Sequence, residues 1–156
     1  MKIVHVSVIV LMSYFFGLCA QQNKIQSTQM HVMIKNGANA DDIRAMLVKN
    51  YAVDARDEQN RTPLHWAALY ANPEVVAVLC AQKADVGAKD FQGNTPLHLA
   101  VKYNANYNKR LKTIDELLLW DANIYVKNNA MYSPIEDAIE FAYKRMMFRF
   151  VEEHAE

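Results

Sequence analysis

The heptapeptide Thr62-Pro63-Leu64-His65-Trp66-Ala67-Ala68 returns as Thr95-Pro96-Leu97-His98-Leu99-Ala100-Val101, 33 residues further on. Self-similarity at such a period constrains the chain to a repeat architecture. Each unit is too small to bury its own apolar face and does so only by stacking on its neighbours. The residues of the heptapeptide fit the start of a helix. Pro63 and Pro96 suit the first helical position, where the missing N–H has no intrahelical partner to lose. Thr62 and Thr95 precede them as N-cap residues, whose hydroxyls can accept from an orphan backbone N–H. The Leu and Ala positions that follow are apolar at helical spacing and let neighbouring units approach closely.

A weaker copy, Ser133-Pro134-Ile135-Glu136-Asp137-Ala138-Ile139, begins 38 residues after Thr95, so five residues have been inserted. The polar, Asn-rich run Asn104-Ala105-Asn106-Tyr107-Asn108-Lys109-Arg110 is the natural place for them, as a loop between two helices. The returning helix is then expected at Thr113-Ile114-Asp115-Glu116-Leu117-Leu118-Leu119-Trp120.

The Thr-Pro-Leu-His-x-Ala core at this period resembles the ankyrin repeat. The resemblance implies an all-α solenoid of about four helix-turn-helix units with connecting β-turn hairpins, in which Asn50, Lys83 and Asp121 stand where the family has a glycine whose left-handed conformation ends the second helix. It also implies that His65 and His98 are structural, each tying its own repeat to the next, and that the activity is the binding of another protein. Partners of such repeats dock on the concave side, made of hairpin tips and the exposed end of each first helix. Carried over position by position, that side comprises Arg56, Glu58, Gln59, Arg61, Leu69 and Tyr70 in the first full repeat. In the second it comprises Lys89, Phe91, Gln92, Asn94, Lys102 and Tyr103. The last unit contributes Lys127, Asn129, Ala130, Tyr132, Glu140 and Phe141. Aromatic residues flanked by Lys and Arg are enriched in binding hot spots. The alternative is that some of them pack against neighbouring helices, Phe141 above all.

Divided on this pattern, the chain reads as a signal peptide (1–20), a linker (21–26), an N-terminal cap (27–53), repeats at 54–86 and 87–124, and a C-terminal cap (125–156). Residues 3–18 follow Met1-Lys2 and are apolar without an acidic residue, the pattern of a secretory signal, with cleavage expected after Ala20. Export would make the protein secreted or periplasmic. An uncleaved membrane anchor at residues 3–18 and lipidation at Cys19 are the alternatives.

Lys plus Arg balance Asp plus Glu at 17 each, which gives no electrostatic case for nucleic acid. Of the two cysteines, Cys80 alone would remain after cleavage, and Val75, Val76, Val78 and Leu79 around it point to a small buried hydrophobe. His5, His31 and His154 stand isolated, and no Cys or His pair has metal-ligand spacing. No Gly-rich phosphate loop or nucleophile elbow is present, so neither an enzyme nor a cofactor is expected. The expectation is a non-catalytic module, monomeric when free, that holds a partner protein. A secreted effector acting on a host protein and a membrane-tethered scaffold are the other readings.

Overall fold

The computed structural model describes residues 28–102 and 106–142. Seven helices and no strand occur among them. They are α1 (28–35), α2 (Ala40–Val48), α3 (Pro63–Leu69), α4 (Pro73–Ala81), α5 (Pro96–Lys102), α6 (Tyr107–Leu119) and α7 (134–142). The contacts sort them into two layers. Helix α3 packs on α5 in one, α4 lies between α2 and α6 in the other, and α3 and α5 join the layers through α4 and α6.

Local chemistry sets the helix starts. Asn39 accepts from the N–H groups of Asp41 and Asp42, while Asp42 Oδ2 accepts from the Asn39 N–H, a reciprocal cap on α2. Asn72 accepts from the Val75 N–H ahead of Pro73. The stops are left-handed, with φ of 63° at Asn50, 64° at Lys83 and 60° at Asp121. Beyond α4, the N–H of Ala84 reaches back to the Leu79 carbonyl; beyond α6, that of Ala122 reaches Leu117. These bonds satisfy carbonyls that the helix end would leave open.

The core follows from this layering. Leu64, Ala67, Ala68, Val75, Val76, Leu79, Leu97, Ala100 and Leu117 are buried along the stack, and Met30, Ile34, Ile43 and Met46 close its N-terminal end. Ala at positions 67, 68 and 100 keeps adjacent layers close, because its burial orders no flexible side chain. Cys80 is buried among them, and burial pushes its thiol up to about 11, so it stays protonated at neutral pH.

The inserted residues correct the expected loop. Helix α6 begins at Tyr107, not Thr113, and runs for 13 residues where α4 has 9. Asn106 is its N-cap, accepting from the Lys109 N–H at 3.1 Å. The segment from there to Leu119 has neither Gly nor Pro, so propagation along α6 costs less than a separate loop. The added turn carries Arg110, which is buried with its guanidinium 5.5 Å from the Tyr107 ring and 4.5 Å from that of Phe141 on α7. Phe141, expected to be the most buried of the surface aromatics, remains 41% exposed beside that contact.

The left-handed stops generate a prediction. Asp121 combines a positive φ with a negative charge at the negative end of α6. Asp121→Gly should stabilise the fold by about 1 kcal/mol, the αL cost less the added chain entropy of glycine. Lys83→Gly should gain less, because the lysine charge favours its helix end. Urea midpoints of the two variants check both the sign and the order.

Candidate functional site

Three histidines form the framework of the candidate site. His65 Nδ1 accepts from the Thr62 N–H at 3.1 Å and lies 2.9 Å from Thr62 Oγ1, while Nε2 donates to the Asn94 carbonyl at 3.0 Å. His98 repeats this with Thr95 and the Tyr132 carbonyl, at 3.0 Å, 2.8 Å and 3.1 Å. The carbonyl partner fixes the tautomer, since only an Nε2–H can donate to it. Each threonine thus meets its own histidine, and not only an orphan helix N–H as the sequence suggested. At the third motif Ser133 donates through N–H and Oγ to Glu136 Oε2, at 2.8 Å and 2.7 Å. An ionised carboxylate has no proton to pass on, so Glu136 keeps the cap and ends the relay. Those bonds hold its carboxyl below the usual range.

His31 belongs to the same series, contrary to its isolated look in the sequence. Its Nε2 lies 3.0 Å from the Arg61 carbonyl, as His65 does from Asn94. The signal was present in Thr28-Gln29-Met30-His31, which precedes Thr62 by 34 residues with Gln29 in the proline place.

Each histidine reaches a loop tip, and the tips share one construction. Asp57, Asp90 and Asn128 each accept with Oδ1 from two N–H groups, two and four residues ahead, at 2.8–3.1 Å. The residue before each tip closes has positive φ: Asn60 at 60°, Gly93 at 74° and Met131 at 65°. Adjacent tips then join, the Phe91 N–H donating to Gln59 and the Asn129 N–H to Gln92. A Cβ added to Gly93 would lie 2.4 Å from Asn129 Oδ1 and 2.9 Å from its backbone nitrogen, so glycine is required by closeness as well as by φ.

Against this scaffold the expected surface residues divide. Glu58, Gln59, Tyr70, Phe91, Gln92, Lys102, Lys127 and Tyr132 are exposed. Phe91 at 70%, Tyr132 at 47% and Tyr70 at 42% present large apolar surfaces. Arg56 and Lys89 are exposed but tie tips together, Arg56 donating to the Asn60 and Lys89 carbonyls and Lys89 Nζ to that of Lys127. Leu69 and Arg61 are half-buried, and Arg61 Nε lies 3.4 Å from Asp90 Oδ2. Asn94 is a correction. It is 6% exposed, with Oδ1 accepting from Asn128 Nδ2 at 2.8 Å, so its side chain braces two tips instead of lying on the surface. Tyr103 lies outside the described residues.

The sequence reading passed over Trp66, which is half-buried between the first tip and Tyr70. Asp57 Oδ2 accepts from its Nε1 at 2.8 Å, and its ring stacks on Tyr70 with centroids 5.9 Å apart. Lys35 and Arg61 lie 6.0 Å and 5.7 Å from its centroid. Its place inside the regular motif hid it.

A family model described as ankyrin repeats (3 copies) matches residues 30–128. The chain belongs to the ankyrin repeat family. Ankyrin repeats generally mediate protein–protein interaction and are typically not catalytic. No curated protein matches the chain. Within this ankyrin stack the histidines hold backbone, and no cluster among the described residues could hold a metal ion.

Burial lowers the pKa of His65 from 6.5 to about 4, and that of His98 in the same direction. Between these values the unfolded chain binds a proton that folded His65 refuses. Its contribution is therefore whole above pH 6.5 and is lost as the pH falls towards about 4. Urea unfolding across that window should show stability dropping by about 1.4 kcal/mol per pH unit from this histidine, about 3 kcal/mol in all.

Proposed function

We propose that the protein is a non-catalytic binding module, exported from the cytoplasm, whose partner protein docks on the concave face made by the tips and first helices. One observation carries the reading. The tip and inner-helix positions divide into polar groups used up in holding the stack and large aromatics left outside it. Asp57, Asp90, Asn94 and Asn128 have their hydrogen bonds within the fold. Phe91, Tyr70 and Tyr132 do not bury their rings, and a rigid backbone holds them in place. Aromatic area fixed in advance contributes more to binding than the same area on a mobile loop, because less freedom is lost on association.

Export rests on the composition of residues 3–18, and the first residue of the mature chain tests it. Sequencing should begin at Gln21; retention of Met1 would instead leave an apolar N-terminal anchor. For the binding face, affinity capture with the wild-type chain and with a Tyr70→Ala/Phe91→Ala variant is decisive. Loss of two hot-spot rings should weaken partner recovery at least tenfold while the circular dichroism spectrum stays unchanged. Undiminished recovery would place the interface elsewhere.

A further inference from the structure

We propose that a pocket at the N-terminal end of the concave face receives one uncharged side chain of the partner that ends in a hydrogen-bond donor, a phenol of the tyrosine kind. The inference rests on concave-face docking and names the chemistry of one contact within it. The pocket has a volume of about 250 Å3. His31, Val32 and Lys35 of α1, Asp57 and Glu58 of the first tip, and Trp66 of α3 line it.

Charge narrows the occupant. Lys35 and Glu58 at the pocket, and Arg61 and Asp57 beside Trp66, contribute two charges of each sign, so no net charge is attracted. A cation gains little from the indole, because Lys35 and Arg61 already lie within 6.0 Å of its centroid. An anion meets Asp57: burial raises its carboxyl, but bonds from the Arg61 N–H, from Trp66 and from the Gln59 N–H, with His31 nearby, hold it below its ordinary value, so it is ionised at neutral pH. A neutral group remains.

His31 supplies the polarity. It is 3% exposed, and its Nε2 donates to the Arg61 carbonyl, which in the neutral ring leaves the lone pair on Nδ1. That nitrogen is buried without a hydrogen-bond partner. In the next two repeats the same nitrogen receives the N–H of Thr62 or Thr95, each just ahead of its helix, but residue 28 is already within the helix. A buried acceptor left open costs free energy that an incoming donor recovers. Trp66 supplies a flat wall, fixed by its bond to Asp57 and its stack on Tyr70, with Val32 as further apolar lining. A ring with a hydroxyl at its tip answers all three features.

The test uses the full chain and p-cresol as the probe, followed by nuclear magnetic resonance at the Trp66 indole and the His31 ring nitrogens. Saturable shifts at both residues, with a millimolar dissociation constant and at least fivefold weaker binding of 4-methylanisole, support the proposal. The ether keeps the ring and loses the donor. Equal binding of the ether, tighter binding of 4-methylbenzylamine or 4-methylbenzoate, or no saturable shift overturns it. Val32→Trp should fill the pocket, abolish the p-cresol shifts and weaken partner capture at least fivefold. Capture that survives Val32→Trp yet fails in the Tyr70→Ala/Phe91→Ala variant would overturn the pocket assignment and leave concave-face docking standing.

Discussion

The stack depends on a neutral imidazole that is buried and bonded in two directions. Nδ1 of His65 and His98 faces the start of its own helix, and Nε2 faces the tip of the following repeat. One ring therefore satisfies a backbone donor and a backbone acceptor that would otherwise be costly to bury. Because the two lie in different repeats, neither repeat has its polar groups satisfied alone. Cooperativity between units follows from the bonding as much as from Leu64, Leu97 and the alanines that fill the space between layers.

The relay has a direction and an end. His31 reaches the first tip, His65 the second and His98 the third. Glu136 accepts two hydrogen bonds from Ser133 and, as a carboxylate, has none to donate forward. The same place in the motif reaches a following tip when it holds an imidazole and only caps its own helix when it holds a carboxylate. With both nitrogens bonded to backbone, the two most conspicuous histidines belong to the scaffold.

Much of this was legible in the sequence. The Thr-Pro-Leu-His spacing marked the repeat and its helix starts, and Asn50, Lys83 and Asp121 were correctly placed as left-handed stops. The failures have physical causes. The insertion was read as a loop because Asn is common in loops, yet Asn106 caps a helix as readily, and Lys109, Arg110 and Leu111 propagate it. Position alone put Asn94 on the surface, but its side-chain amide donates to Gln92 and Asp90 and accepts from Asn128, the last a contact visible only once adjacent tips are side by side. Gln29 in place of proline hid the first histidine, and regularity hid Trp66.

The bonds that the Phe91 and Asn129 N–H groups donate to the Gln59 and Gln92 carbonyls link the three tips backbone to backbone. With Gly93 excluding any side chain between the last two, their separation is set by main-chain geometry. Position and chemistry are thereby uncoupled. A residue such as Glu58 or Phe91 can be exchanged without moving the point in space that it occupies, so the fold behaves as a fixed pitch on which different side chains can be written.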